Sequence, residues 1–144
     1  MATNMKLWQV DGITIREVPQ VALNEEQRLE EWIVKDVSIL DLNILLIGRQ
    51  VTTVNRGRVD LLGIDGDANL VILELKRDKT PREVIAQSLD YASWVKDLSY
   101  AQIEAIAQKF SGKPLPQAFQ EHFGYSLPNT INASHSIIVL ASEL

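Results

Sequence analysis

The chain has 144 residues, of which 46% are hydrophobic and 23% are charged, a composition typical of one compact domain with its own core. The absence of cysteine excludes disulfides and thiolate zinc sites, and the two histidines stand apart without the spacing of metal ligands. The first residues lack a signal pattern and the apolar runs are too short to span a bilayer, so we expect a cytoplasmic protein without a membrane partner.

The formal net charge of −5 disfavours a nucleic-acid partner, but the charge is unevenly distributed along the chain. Residues 49–82 contain seven basic and five acidic residues, whereas the segments on both sides are net acidic. A basic segment of this kind is compatible with a phosphate-binding surface. On charge alone, an ordinary fluctuation across the surface of a small protein explains it better.

The first part of the chain predicts a β-hairpin followed by a helix. Asp11 and Gly12 form a tight-turn signal between two β-rich runs, which predicts a small N-terminal hairpin. Asn24 and Gln27 have the spacing of a capping box, and the apolar residues that follow recur at helical intervals. We therefore expect a helix from about residue 24 to residue 37.

Three β-rich runs follow, and after them come helices and a last strand. The runs NILLIGRQVTTV, GRVDLLGI and NLVILELK are separated by short turns and predict an antiparallel meander. Thr80 and Pro81 mark the start of a helix that runs to about Leu98, and two further helical segments lead to the apolar strand SHSIIVLAS. This order predicts an α/β fold in which a helical crossover brings the last strand into the sheet, with both of its faces buried.

Charged residues occur inside the second and third strands of this meander. Strand interiors are depleted in Asp, Glu and Lys, yet Asp60, Glu74 and Lys76 lie among apolar neighbours. A turn centred on Asp67 places Asp60 directly opposite Glu74, and it places Lys76 opposite Arg58 on the same face. Opposed like charges are destabilising unless a positive group lies between them, and an oxygen-only site of this kind suits Mg²⁺ or Mn²⁺.

A solvated ladder of ion pairs is the alternative explanation for these three charged residues. The neighbours on the same strands argue against it, because Leu61, Leu62, Leu73 and Leu75 are apolar at both parities. Such strands are covered on both faces, so charged side chains within them lie in a cleft. Charged groups in a cleft point to a functional site, and we favour that interpretation for the trio.

The arrangement of these motifs resembles the PD-(D/E)XK nuclease superfamily. Asp60 and then Glu74-Leu75-Lys76 lie between a leading and a following helix, as in the restriction-endonuclease-like core of that superfamily. The motifs IGRQV, GRVDLLG, VILELKR and QSLDY narrow the resemblance to the NucS-type branch, in which a Gln-x-x-x-Tyr element follows the lysine. The resemblance is strongest over residues 24–98 and departs from the superfamily at Val59, which replaces its proline.

The resemblance implies a restriction-endonuclease-like fold, a mixed sheet with an antiparallel meander flanked by helices. We expect this nuclease-like domain to span residues 21–144, and the N-terminal hairpin to be an extension of residues 1–20. NucS-type proteins carry a separate DNA-binding domain, for which this sequence has no room. We therefore expect the chain to hold the nuclease core alone, or to be a piece of a longer protein cut directly after its last strand.

The resemblance also implies a role for each central motif residue. Asp60 and Glu74, with the carbonyl oxygen of Leu75, would hold Mg²⁺ or Mn²⁺. Lys76 would orient the attacking water and stabilise the charge that develops on the phosphate. Glu30 is the helix carboxylate that would reach the metal directly or through water. The alternative for Glu30 is a solvated position in the first turns, where it favours the helix dipole.

Further residues are implied around this centre. Gln87 and Tyr91 share a helix face and would contact Lys76 or the DNA backbone; the alternative is a surface position for Gln87 and a half-buried core position for Tyr91. Basic residues are the candidates for phosphate contacts, with ion pairing to acidic neighbours as the alternative for each. They are Arg49 and Arg58, ahead of Arg56, Arg77 and Lys79.

These features predict a metal-dependent endonuclease that hydrolyses phosphodiester bonds in DNA, with Mg²⁺ or Mn²⁺ as its cofactor. A non-catalytic nucleic-acid-binding domain on the same fold is the alternative, because one fold hosts many functions. The intact trio favours catalysis, since a binding protein does not need two opposed carboxylates that repel the phosphate backbone. DNA is the expected partner, and the oligomeric state is left open, a homodimer included.

Overall fold

Six strands and four helices make up the part of the chain that the structure describes. The structure is a computed structural model, and it describes residues 3–11, 14–23, 29–37, 42–53, 57–76 and 81–142. The strands are β1 (Thr3–Asp11), β2 (Thr14–Leu23), β3 (Ile44–Thr52), β4 (Arg58–Asp65), β5 (Leu70–Lys76) and β6 (His135–Ser142). The helices are α1 (Leu29–Lys35), α2 (Pro81–Lys96), α3 (Tyr100–Ser111) and α4 (Leu115–Phe123).

The six strands form one mixed sheet in the order β2-β1-β6-β5-β4-β3. Neighbouring strands are antiparallel except β5 and β6, which are parallel. A parallel pair needs a long crossover connection, and α2, α3 and α4 supply it. The predicted α/β fold is confirmed: β3, β4 and β5 form the meander, and the helical crossover brings in β6, whose residues 137–140 are buried as expected.

Alternate residues of the strands pack into two apolar cores, one on each face of the sheet. The α1-side core contains Ile33 of α1 together with Leu61 and Leu73. The helical-layer core contains Leu62 and Ile72, packed with residues of α2, α3 and α4. Because successive side chains of a strand point to opposite faces, burial on both faces explains why these strands are apolar at both parities.

The turn between β4 and β5 sets their register. Asp65 Oδ1 accepts hydrogen bonds from the backbone N–H groups of Asp67 (2.9 Å) and Asn69 (3.0 Å). The backbone N–H of Asp65 also donates to the carbonyl oxygen of Asn69 (2.9 Å). An Asp that binds the amides of its own turn favours a tight hairpin. Leu61 pairs with Leu73 as a result, which is the register that a turn centred on Asp67 predicts.

The N-terminal hairpin is continuous with the rest of the sheet. β1 and β2 pair so that Asp11 faces Thr14, at the predicted turn. β1 also pairs with β6, from Met5 opposite Ser142 to Val10 opposite Ile137. Pairing within one sheet does not test whether the hairpin folds separately, so the domain boundary after residue 20 stays a prediction.

The first helix lies within the predicted range of residues 24–37, since α1 runs from Leu29 to Lys35. The predicted capping residues Asn24 and Gln27 lie outside the described residues, as does Thr80 before α2. The longest described helix is α2, with 16 residues. No helix in the described ranges is both long enough and apolar enough to cross a membrane.

Candidate active site

The open end of the β4–β5 hairpin brings the two predicted carboxylates together. The paired residues of the two strands end with Leu61 opposite Leu73. In the next row, the backbone N–H of Asp60 donates to Glu74 Oε1 (2.9 Å), and the backbone N–H of Leu75 donates to Asp60 Oδ2 (2.8 Å). In this row, the backbone N–H groups donate to side-chain carboxylates, where a regular ladder would use backbone carbonyls. A backbone N–H of β4 binds the carboxylate of Glu74 on β5, and one of β5 binds the carboxylate of Asp60 on β4.

The two carboxylates differ in their access to solvent. Glu74 is 2% exposed, whereas Asp60 is half-buried. A buried carboxylate is costly unless hydrogen bonds or a positive charge compensate it. Hydrogen bonds from an N–H group to a charged acceptor are among the stronger ones in proteins, so the two backbone bonds fix the pair in position.

Tyr91 and Gln87 form a hydrogen-bonded chain from α2 to the start of β4. The buried Tyr91 hydroxyl donates to the backbone carbonyl of Arg58 (3.0 Å) and accepts from Gln87 Nε2 (2.7 Å). Burial raises the pKa of Tyr91 most, the negative charges of Glu74 and Asp60 raise it further, and its two hydrogen bonds oppose the rise. Tyr91 is therefore a protonated donor beside the carboxylate pair, and it anchors the strand that carries Asp60.

Thr53 and Gly57 lie beside the ring of Tyr91 before the start of β4. Thr53 Oγ1 accepts from the backbone N–H of Gly57 (3.0 Å), and the backbone N–H of Thr53 donates to the carbonyl of Gly57 (2.9 Å). A Cβ added to Gly57 would lie 2.9 Å from Tyr91 Cε1. A glycine at position 57 therefore lets the ring approach the backbone closely enough to reach Arg58.

Glu30 of α1 is held by two residues of β3. Glu30 Oε1 accepts from Arg49 Nε (2.7 Å) and from Gln50 Nε2 (2.8 Å). The side chain of Arg49 is 39% exposed and that of Glu30 is 21% exposed, so the ion pair lies near the surface. Of the two interpretations that the sequence left for Arg49, the structure shows the contact with an acidic neighbour.

The remaining candidate residues differ in how far the structure describes them. Lys76 is the last residue of β5, and its side chain lies outside the described part. Arg58 is exposed at the start of β4. Arg56, Arg77 and Lys79 lie outside the described residues. The functional roles assigned to these residues from the sequence stay predictions.

Residues 25–109 match the family model described as the Endonuclease NucS C-terminal domain, and the match covers more than half of the chain. The chain belongs to the NucS C-terminal domain family. Membership places it among nuclease-related, DNA-binding domains, as the motifs predicted. No curated protein and no solved structure is a significant match to this chain.

The part matched to the NucS family contains the whole candidate site. It extends from residue 25, before α1, to residue 109 in α3, and it includes β3, β4, β5 and α2. The hairpin β1–β2, helix α4 and strand β6 lie outside it. The site residues therefore sit in the family-defining part of the fold, and β6 supports them from its place beside β5.

Gln50, which binds Glu30, is a residue of the candidate site for which we predicted no role from the sequence. It belongs to the motif IGRQV that supported the NucS resemblance, so the motif itself contained the signal. Its contact with Glu30 joins two elements that are distant in sequence, α1 and β3. Neither periodicity nor turn geometry predicts such a contact.

Proposed function

We propose that this chain is a metal-dependent nuclease domain that hydrolyses phosphodiester bonds in DNA. The observation that carries the proposal is the pair Asp60 and Glu74 at the open end of the β4–β5 hairpin in a NucS C-terminal domain. Each carboxylate accepts a hydrogen bond from a backbone N–H of the opposite strand. A domain that only binds nucleic acid has no use for two carboxylates there, because they repel the phosphate backbone.

The donor atoms of this pair fit Mg²⁺ or Mn²⁺. Both cations prefer carboxylate and carbonyl oxygens, and Mg²⁺ is commonly held by one or two carboxylates, with water and substrate phosphate completing its coordination. The two oxygens of a carboxylate offer about four acceptor sites, so a carboxylate can accept a backbone hydrogen bond and bind a cation at the same time. Asp60 and Glu74 would therefore hold the cation at the boundary between the buried core and solvent.

The proposed third ligand is the carbonyl oxygen of Leu75. Within the described part of the chain, no cluster of three or more acidic, cysteine or histidine side chains could hold a metal ion. The described contacts of Glu30 run to Arg49 and Gln50. We therefore propose that Glu30 acts on the site through water instead of as a direct ligand.

A bound divalent cation would polarise the phosphate and make a coordinated water more acidic. The residues of the chain do the positioning. The backbone N–H groups of Asp60 and Leu75 fix the carboxylate pair before DNA binds. Tyr91 anchors the start of β4. Lys76, at the end of β5, would stabilise the charge that develops on the phosphate.

Arg58 is the first proposed phosphate contact. It is exposed at the start of β4, two residues before Asp60. Arg49 donates its Nε–H to Glu30, and because a guanidinium has five N–H donors, this ion pair does not exclude a phosphate contact. Backbone-directed contacts of this kind position DNA without reading its sequence, so they leave the preferred substrate structure to be measured.

The test compares cleavage and binding on the same DNA. Labelled single-stranded, duplex and branched DNA are incubated with wild type, Lys76→Ala and Glu74→Ala, with and without Mg²⁺ or Mn²⁺. We expect Lys76→Ala to lower the cleavage rate by about 10²–10³-fold, as for the loss of one preorganised electrostatic group, and Glu74→Ala to abolish cleavage. In gel shifts, Lys76→Ala should lower affinity modestly and reduce the salt slope by about one unit.

Asp65→Asn is the matched control, because it changes a carboxylate at the other end of the same hairpin. It should bind and cut as wild type does, at temperatures where it is folded. If wild type cuts none of these substrates with either metal while all variants bind alike, the nuclease proposal is wrong. The chain is then the nucleic-acid-binding alternative on the same fold.

A further inference from the structure

Gln50 has an unusual backbone conformation for a residue inside a strand. Its φ is +55°, in the left-handed region that residues other than glycine seldom adopt. Among the described residues, Ala68 and Asn132 share this property, but Ala68 lies in the turn between β4 and β5 and Asn132 lies in the connection between α4 and β6. Gln is not one of the residue types that visit this region routinely, as Asn and Asp are. Strained residues of this kind cluster at functional sites.

The conformation of Gln50 coincides with a change of face in the β3–β4 ribbon. Gln50 lies opposite Asp60, because the rows on either side pair Arg49 with Leu61 and Val51 with Val59. Side chains two residues apart in a strand normally point to the same face. In the β3–β4 strand pair, the side chains on either side of Gln50 and Asp60 point to opposite faces instead.

The packing of the flanking rows shows this change directly. Leu61 lies in the α1-side core, whereas Val59 lies in the helical-layer core on the opposite face. Arg49 reaches Glu30 of α1, whereas Val51 packs against the helical-layer core. The ribbon therefore turns over between these rows.

This change of face occurs at Asp60, where the regular backbone pairing between β4 and β5 ends. Below it, Leu61 pairs with Leu73 in the regular register. At the row itself, Asp60 reaches Leu75 with its carboxylate and Glu74 with its backbone N–H. The left-handed residue thus stands directly across β4 from the carboxylate pair, where the strands separate.

The side chain of Gln50 adds a second unusual feature. Its Nε2 donates to Glu30 Oε1 (2.8 Å). A carboxylate only accepts hydrogen bonds, so the amide nitrogen must face Glu30 and the amide oxygen must face away from it. That oxygen is buried and has no hydrogen-bond partner among the residues that the structure describes. A buried acceptor without a donor lowers stability, as does the left-handed backbone, so stability alone does not account for a glutamine here.

We propose that Gln50 is a positioning residue of the candidate nuclease site, an inference that rests on the proposed function. Its backbone turns the β3–β4 ribbon at the row of Asp60, and its amide, together with Arg49, fixes Glu30 of α1. Gln50 acts through Glu30 and Asp60, without touching the scissile phosphate. Residues that orient such groups typically change activity or metal affinity by about 10–100-fold.

The test separates the amide of Gln50 from its backbone. Gln50→Gly keeps the left-handed conformation without steric cost and removes the amide. We expect this variant to fold, to bind DNA as wild type does, and to cut it about 10–100-fold more slowly in single turnovers at saturating Mg²⁺. Because Gln50 acts through Glu30, the double variant Glu30→Gln/Gln50→Gly should be no slower than Glu30→Gln alone. A merely structural role would not produce this non-additivity.

Asn132→Gly is the matched control. Asn132 also has a left-handed backbone (φ +58°), and its side-chain Nδ2 donates to the carbonyl of Val95 (2.7 Å). Its buried amide oxygen has no hydrogen-bond partner in the described part of the chain. Asn132 lies in the loop before β6, where its backbone N–H donates to Ala68 in the turn at the other end of the hairpin. Asn132→Gly should lower the melting temperature and leave the cleavage rate of the folded protein unchanged.

Wild type is measured first, so the two proposals fail in different ways. If wild type cuts DNA and Gln50→Gly cuts it at the same rate, the role of Gln50 is overturned while the nuclease stands. Additive losses in the double variant overturn it as well. If wild type cuts nothing, the proposed function fails and this role falls with it. Should Gln50→Gly not fold, Gln50→Asn carries the same comparison, because it shortens the amide and tolerates the left-handed backbone.

Discussion

At the turn end of the β4–β5 hairpin, a carboxylate accepts hydrogen bonds from its own turn, and the strands are closed. There Asp65 binds the N–H groups of Asp67 and Asn69. At the open end, Asp60 and Glu74 each accept an N–H from the opposite strand, and the regular ladder ends. A carboxylate that binds the N–H groups of its own turn thus favours the tight end of the hairpin. Carboxylates that bind N–H groups of the facing strand lie where the regular pairing of the strands ends.

A tyrosine hydroxyl from outside the hairpin anchors each end as well. Tyr125, which follows α4, donates to the carbonyl of Gly66 in the turn (2.7 Å). Tyr91 of α2 donates to the carbonyl of Arg58 near the carboxylates (3.0 Å). Tyr125 is 50% exposed and Tyr91 is 4% exposed. The anchor beside the candidate site is therefore the one that depends on the core.

The largest expected difference between the two ends is in metal binding. A ligand that binds only the folded state stabilises it, so saturating Mg²⁺ or Mn²⁺ should raise the melting temperature of wild type. At a metal concentration of 100 times the dissociation constant, the free energy of unfolding should rise by about 2.7 kcal/mol. Asp60→Asn should lose most of this shift, and Asp65→Asn should keep it. Thermal melts in a metal titration measure both. Equal shifts in the two variants would mean that the open end is not the metal site.

A smaller difference is expected between the two tyrosines. Tyr91→Phe removes the hydroxyl that binds the carbonyl of Arg58 and the amide of Gln87, two part-buried groups, which should cost about 1–3 kcal/mol of unfolding free energy. Tyr125→Phe removes a hydrogen bond that solvent can replace, so its cost should lie at or below the low end of the usual range of about 0.5–1.5 kcal/mol. Urea unfolding of the two variants at neutral pH is the measurement. A larger loss in Tyr125→Phe would contradict the ranking.

The smallest expected effect is a pH dependence at the open end. The pKa of Tyr91 is raised from 10.0, mainly by burial and then by the charge of Glu74. The folded protein therefore binds this proton more tightly than the unfolded chain does, and the resulting stability is complete below pH 10.0 and is lost as the pH rises further. The stability difference between wild type and Tyr91→Phe should thus narrow above pH 10.0. Urea unfolding from pH 8 to 11 tests this, and a difference that widens would refute it.

The register of the carboxylate pair could be predicted because it depends on local chemistry. The turn residues around Asp67 determine which residues of β4 and β5 face each other, and alternation along each strand does the rest. The order of elements followed in the same way from hydrophobic patterns and turn signals. These are short-range rules, and the structure follows them.

The contacts that support the pair could not be predicted, because each joins elements that are distant in sequence. For Tyr91 the sequence predicted a contact with Lys76 or the DNA backbone, or a half-buried core position, and it did not indicate the hydrogen bond to the backbone of Arg58. For Glu30 it predicted a place at the metal, directly or through water, or a solvated position, and it did not indicate the contacts with Arg49 and Gln50. Packing angles between α1, α2 and the sheet decide such contacts, and neither spacing nor propensity contains them. The left-handed backbone of Gln50 breaks the alternation on which strand prediction relies.

The place of β6 in the sheet has a consequence for how the molecule assembles during synthesis. Residues 135–141 pair with β5 on one side, and residues 137–142 pair with residues 5–10 of β1 on the other. The edge of β1 in the hairpin and the edge of β5 in the meander therefore stay unpaired until β6 has been synthesised. Such long-range closure slows folding, and the two unpaired edges are open to aggregation in the interval. The carboxylate pair on β4 and β5 is thus formed from early segments, whereas the strand that locks β5 in place arrives last.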